Sequence, residues 1–316
     1  MHRKDFLTQT GSCLSYLAFA GPLLPPGLRE RWHQTQAHTL SQEPFARLEE
    51  VGPGLTAVIS TPLTGDFTTI CNGGIIQGTN GTLVVEAFGT ADGARWVAEH
   101  ARRITGRWPT HVVVSHYHGD HTAGASGFGE PESPPELRAT GHTRERTLGS
   151  LDEEADRAPW ADVVVLPSDA PTVIDLGGRS VSVVPRAGHT GSDVTVEVEE
   201  DGGAIWCGDL VWNDMFPNYM DAVPSELSTT VRTLQALNAS VYVGGHGPVG
   251  DSGAYDRYVG LIDSVEHAGR EAFRRGMNAE DAAAEYQVPE ALGEWHLFNP
   301  LFFQRAMESW LRELSE

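Results

Sequence analysis

Residues 115–122 read Ser115-His116-Tyr117-His118-Gly119-Asp120-His121-Thr122 and follow directly on the apolar run His111 to Ser115. Four groups able to ligate a metal, His116, His118, Asp120 and His121, fall within six residues. Neither a strand nor a helix can aim all four at one point, so the spacing predicts a tight loop, and Gly119 permits its turn. The apolar run predicts a strand, which puts the loop at a strand's C-terminal end, where the sites of α/β sheets collect. Imidazole and carboxylate donors without thiolate suit Zn²⁺, Mn²⁺ or Fe²⁺. A loop of merely solvated polar residues does not account for so dense a cluster.

Working outward, short strand patterns are expected at Leu55 to Ser60, Thr68 to Asn72 and Thr82 to Glu86, with Asn80-Gly81 as a hairpin turn. A helix begins near Asp92, with Val97, Ala101 and Ile104 at helical spacing, and leads into the strand before the histidines. After a Gly-, Pro- and Glu-rich loop (Gly124 to Pro135) the theme repeats. Strands are expected at Asp162 to Leu166, Ser180 to Pro185, Asp193 to Glu199 and Ala204 to Cys207, then a helix from about Glu226 to Leu237 and a strand at Ser240 to Val243. Strands followed by a helix, twice over, predict an α/β architecture of two half-domains packed sheet on sheet with helices outside. From Ser252 the pattern is helical. Tyr258, Ile262 and Val265 form one packing stripe, and Phe303, Ala306 and Trp310 form another. The expected organisation is a leader over 1–20, a linker or N-terminal segment over 21–50, a catalytic domain over 51–250 and a helical extension over 251–316 packed on the same domain.

Composition narrows the function classes. The chain has 316 residues, 43 acidic and 22 basic side chains, and a formal charge of −21. So negative a surface repels phosphate backbones, which excludes a nucleic-acid enzyme working through a basic groove and leaves a small-molecule substrate. No run of eighteen apolar residues suggests a transmembrane helix. With 3 cysteines there is no disulfide scaffold, and Cys71 and Cys207 are expected as buried free thiols. Arg3-Lys4-Asp5-Phe6-Leu7, a mildly apolar run and Ala18-Phe19-Ala20 have the three parts of an export signal, which predicts a periplasmic or extracellular protein. Lys4 is the chain's only lysine; every other cationic side chain is an arginine.

The histidine loop closely resembles the His-x-His-x-Asp-His signature of the metallo-β-lactamase superfamily. Later motifs match in order: Gly188-His189-Thr190, Cys207-Gly208-Asp209-Leu210 and Gly245-His246-Gly247-Pro248. The resemblance spans roughly residues 50 to 250. It implies a four-layered αββα sandwich with a helical C-terminal extension and two metal ions, zinc first and iron or manganese as alternatives. One ion would take His116, His118 and His189, the other Asp120, His121 and His246, with Asp209 bridging. It also implies a hydrolase in which a bridging hydroxide attacks an ester, lactone, thioester or amide, and in which Asp120 orients or deprotonates that nucleophile. The Arg-Lys order of the leader is similar to a twin-arginine signal with the second arginine replaced.

Departures from the family bear on the substrate. A bridging Asp209 in place of a thiolate puts the chain nearer the thioesterases and lactonases than the lactamases with a Cys ligand. Cys207, two residues earlier, is expected in the core on the same strand face as Asp209. Glu86 stands where the family usually has Asp. Hydroxyacylglutathione hydrolases and many lactamases hold substrate carboxylates with a Lys that this chain lacks, and Arg does not replace Lys at a specific contact. Between Asp209 and the next helix lies the aromatic loop Trp212 to Met220, in which Tyr219 is a candidate oxyanion donor or else part of a packed loop sealing the core. His142, His267 and His296 are expected as capping, structural or solvated residues. Two other functions remain beside the leading one: β-lactam cleavage, and an iron-dependent persulfide dioxygenase from a different class. A non-catalytic metal carrier is a third class, disfavoured by the intact ligand set.

Overall fold

The computed structural model describes residues 39–61, 65–129 and 134–316. In chain order the elements are β1 (Thr39–Gln42), β2 (Ala46–Gly52), β3 (Leu55–Ser60), β4 (Gly73–Gln77), β5 (Thr82–Val85), α1 (Ala91–Thr105), β6 (His111–Val113), α2 (Gly119–Thr122), β7 (Glu136–Thr140), α3 (Gly141–Ser150), α4 (Glu154–Ala161) and β8 (Val164–Leu166). The second half holds β9 (Thr172–Asp175), β10 (Ser180–Arg186), β11 (Asp193–Val198), β12 (Ala204–Trp212), α5 (Pro224–Ala236), β13 (Val241–His246), α6 (Ser252–Arg274), α7 (Ala279–Glu285) and α8 (Phe302–Ser315). One sheet runs β1 to β8 in sequence order and the other runs β13-β12-β11-β10-β9. The first is antiparallel from β1 to β5 and parallel from β5 to β8. The second is antiparallel except for the parallel β12–β13 pair.

Strand alternation sorts the apolar side chains into layers. Leu83 and Val85 of β5 join Val181, Val183, Val194 and Trp206 in a core between the two sheets. Val84, between them, points the other way, to a core shared with Ala94, Val97, Ala98 and Ala101 of α1. The outer face of the second sheet, through Ile205 and Cys207, meets Val231 of α5, Tyr258 and Ile262 of α6, and Trp310 of α8. Helix, sheet, sheet, helix is the expected αββα order, with the C-terminal helices packed on the same body. α1 is delimited as its sequence dictates: the Thr90 side chain accepts from Gly93 N–H, and Gly106 closes the helix at φ 78°. Among the described residues no helix is long and apolar enough to cross a membrane.

Three expectations need correction. The strand expected at Thr68 to Asn72 is instead β4, beginning at Gly73. Two glycines hide it, and close contacts require both: a Cβ on Gly74 would overlap the Trp206 indole of the other sheet, and one on Gly73 would overlap the Val85 carbonyl of the neighbouring strand. The expected linker over 21–50 contains β1 and most of β2, which extend the first sheet. Arg47 and Glu49 disguise β2 as a polar stretch, yet both are buried as an ion pair with each other. The strand expected to stop at Cys207 continues as β12 to Trp212. The leader over 1–20 and residues 21–38 lie outside the described residues. Among the described residues Cys71 and Cys207 are both buried and free, as expected.

Forcing a methyl group between the sheets tests this packing. Gly74→Ala should destabilise the protein by about 1–3 kcal/mol, the usual cost of overpacking a filled core, seen as a lower denaturant midpoint.

Candidate metal centre

Each candidate ligand lies in a strand or in the turn after one. His116, His118, Asp120 and His121 follow β6, His189 sits in the β10–β11 turn, Asp209 lies within β12 and His246 ends β13. The expected sharing of a strand face by Cys207 and Asp209 is broken at Gly208. Its φ of 52° interrupts the alternation, so that Cys207 and Leu210 both stay in the helix-side core while Asp209 turns to the histidines. Gly245 makes room for it, because a Cβ there would coincide with the Asp209 carboxylate.

The seven side chains form two groups. Ligand atoms of His116, His118, His189 and Asp209 lie within 4.8 Å of one another, and so do those of Asp120, His121 and His246. In the first group His118 Nδ1 is 3.1 Å from His116 Nε2 and 3.0 Å from His189 Nε2. In the second, His246 Nε2 is 3.2 Å from Asp120 Oδ2. Asp209 belongs to both: its Oδ1 is 3.1 Å from His121 Nε2, and its Oδ2 is 3.3 Å from His189 Nε2.

These residues fit divalent cations. Ring nitrogens that converge on one another cannot all be satisfied by protons, and His121 Nε2, His246 Nε2 and Asp209 Oδ1 are buried with no hydrogen-bond partner. Charge points the same way. Burial works against protonation of His121, but Cys71, Asp209, Glu86 and Asp120 push its pKa well above the ordinary histidine value. His246 rises to about 9 against the same burial, through Asp209 and Asp120. Burial opposes ionisation of Asp120, yet His121 and His246 hold its carboxyl down to about 2. The second group thus carries an excess of buried negative charge that draws in cations, whether protons or a metal. His116 and His189 behave oppositely: burial and neighbouring imidazoles push His116 well below its ordinary value, and burial takes His189 down to about 4, which suits both rings to ligation.

Outer partners fix the ring orientations. Ser115 Oγ lies 2.9 Å from His116 Nδ1. Glu86 Oε1 lies 3.2 Å from His121 Nδ1, while its Oε2 accepts from Ser115 N–H at 3.2 Å. Glu86 thus stands beside the His121 ring, without hydrogen-bond geometry to its Nδ1, and bonds the backbone at the start of the histidine loop. Asn72 accepts from Ser60 N–H and donates to the carbonyls of Gly244 and Gly247, anchoring the turn that carries His246. Asp193 accepts from Thr190 N–H and Oγ1–H beside His189. Burial raises its carboxyl to about 7 despite those bonds. Asp221 accepts from His118 Nε2–H at 2.9 Å. Sequence reasoning missed Asn72, Asp193 and Asp221. Only Asp193 left a signal, in the Thr190 to Asp193 spacing of a side-chain-capped turn.

Other candidates fall elsewhere. Tyr219 is 1% exposed and packs among Phe216 and other core residues, and its hydroxyl has no hydrogen-bond partner, so the sealed-loop reading describes its place better than the oxyanion donor. Trp212, from the same loop, does reach the site, its ring 4.2 Å from that of His246. His142 is exposed at the start of α3, where Thr140 is the cap, and His267 is exposed on α6. His296 is buried away from both groups, with its backbone bonded to Asp214 and Phe216.

Two predictions follow from this geometry. Gly245→Ala should displace Asp209 and lower the metal content of the purified, folded protein, measured by elemental analysis. In metal-free protein the raised His246 contributes stability present below its unfolded pKa and lost as pH rises through about 9. The thermal midpoint of the metal-free protein should therefore fall between pH 7 and 9.5. That of metal-loaded protein should not, since metal replaces the proton.

Comparison with known proteins agrees with the site. The sequence profile of the metallo-beta-lactamase superfamily matches residues 67–246. A hydroxyacylglutathione hydrolase of Acidiphilium cryptum (strain JF-5) is 25% identical over 202 residues, covering 64% of this chain and 74% of that protein. A stereoselective inverting sec-alkylsulfatase of Pseudomonas sp. superposes with a TM-score of 0.71 at 14% identity, over 96% of this chain; the chain spans only 62% of the sulfatase's length. A metallo-beta-lactamase from Pontibacter korlensis superposes with a TM-score of 0.57 at 16% identity, over 69% of this chain and 99% of its own. With the family profile matching more than half of its length and both histidine groups assembled around Asp209, the chain belongs to the metallo-beta-lactamase superfamily and is a metallo-hydrolase.

Proposed function

We propose that this protein hydrolyses an ester, lactone, thioester or amide bond in a small molecule with two zinc ions. One would be held by His116, His118 and His189 and the other by Asp120, His121 and His246, with Asp209 between them. The observation that carries this reading is the division of the Asp209 carboxylate, one oxygen to each histidine group. When bound, such a metal pair supplies Lewis acidity and brings the pKa of a water toward neutrality.

The chain's own residues supply the rest. The side chains of His118, Asp120 and His246 are 14%, 21% and 12% exposed, while those of His116, His121 and Asp209 are sealed, so substrate approaches over the first three. Asp120, a carboxylate at neutral pH, is the acceptor at that opening, fit to orient the attacking water. Trp212 covers one side of His246 and excludes solvent there. The hydroxyacylglutathione hydrolase relative supports a thioester among the bonds cleaved. Beyond residue 4 this chain offers only arginine as a cation, which argues against glutathione itself as the carrier. Export remains part of the proposal, supported by the order Arg3-Lys4-Asp5-Phe6-Leu7 before an apolar run.

The test is a panel of an aryl ester, an aromatic lactone, a thioester and a chromogenic cephalosporin, run on zinc-loaded protein and on Asp209→Ala. Turnover of one of the first three should fall on the order of a thousandfold in the variant, equivalent to several kcal/mol of lost transition-state stabilisation. Cephalosporin turnover alone would favour the lactamase reading. Stoichiometric iron with oxygen consumption on a persulfide would replace hydrolysis with dioxygenation.

A further inference from the structure

Resting on the two-metal reading above, we propose that Asp221, steadied by Tyr117, is a positioning residue that fixes His118 and sets the affinity of the three-histidine group for its cation. His118 is the histidine of that group that turns Nδ1 toward the other two rings. Its Nε2 therefore points away from the cluster, and Asp221 Oδ2 meets it at 2.9 Å. His118 stands in extended backbone just before α2 and is 14% exposed, so the packed core does not lock its ring. The other two rings of the group are treated differently: His116 faces the neutral Ser115 hydroxyl, and His189 Nδ1 is buried with no hydrogen-bond partner. Among the described residues, Asp221 is thus the carboxylate that bonds a histidine of this group from behind. In the second group Glu86 Oε1 stands 3.2 Å from His121 Nδ1 without hydrogen-bond geometry.

The brace is itself held. The Tyr117 side chain faces the Asp221 carboxylate, its ring 5.0 Å from that of His118, and the Arg146 guanidinium lies 4.8 Å from the centre of the Tyr117 ring. Asp221 belongs to the loop that leaves β12 after Asp209, and Tyr117 lies between His116 and His118. The His118–Asp221 bond therefore ties the segment that supplies the shared carboxylate to the segment that supplies the histidine motif. A carboxylate on the remote N–H of a ligating histidine fixes the tautomer and makes the ring a stronger donor. Removing such a partner usually costs 10–100-fold in metal affinity.

The experiment is chelator competition on the full chain, loaded with Zn²⁺ and separately with Co²⁺, whose visible bands report on each set of ligands. Asp221→Ala should weaken one ion by about 10–100-fold and leave the other within about twofold. Asp221→Asn, which keeps an acceptor but not the charge, should fall between, and Tyr117→Phe should shift the same ion by a smaller factor. The cobalt bands of that ion should move in all three variants, while the thermal midpoint of the metal-free protein stays near the wild-type value. Wild-type affinities for both ions in folded Asp221→Ala, or equal weakening of the two, would overturn the proposal. If the wild type holds only one ion, the two-metal reading fails, and the effect of Asp221→Ala on that ion still decides the proposal. A wild type that binds neither metal overturns both.

Discussion

The structure is organised around one carboxylate. Asp209 is 4% exposed, surrounded by four histidines and a second aspartate, and its two oxygens serve different groups. Burying so many titratable side chains together is costly unless cations balance them. Several features of the surrounding fold follow from accommodating that arrangement. Gly208 turns Asp209 off the helix-side face, Gly245 leaves space for its carboxylate, and Asn72 clamps the turn beyond Gly245.

The two sheets make this arrangement possible because each brings ligands to the same edge. The first sheet delivers the 116–121 segment from β6, and the second delivers His189, Asp209 and His246. Their mutual packing then sets the relative position of the two groups. Trp206 bonds the Gly73 carbonyl at 3.0 Å across the sheets, three residues before Asp209, so the apolar interface and the polar site share a strand. Residues far from the histidines thereby influence their geometry through sheet-to-sheet spacing.

The residues that form the two candidate ligand groups were legible in the sequence because donor chemistry restricts such groups to a few residue types, and each follows an apolar run that reads as a strand. The layer order was legible from alternation in segments such as Thr82–Val85 and from the helical stripe Tyr258, Ile262 and Val265. What escaped detection was set by contacts between distant segments. Gly73 and Gly74 resemble a turn until Trp206 is placed against them. Arg47 and Glu49 look solvated until each is seen to bury the other. Asp221 meets His118 across 103 residues and had no local pattern to announce it. Tyr219 shows the reverse: next to a ligand-bearing strand its hydroxyl invites a chemical role, but the aromatic packing around it turns the side chain into the core.

The shared carboxylate can be observed directly. Anomalous X-ray scattering at the zinc absorption edge, from crystals of zinc-loaded protein, should show two peaks about 3.5–4 Å apart. One peak should lie against each oxygen of Asp209. A single peak, or a pair of which one does not touch Asp209, would contradict the account.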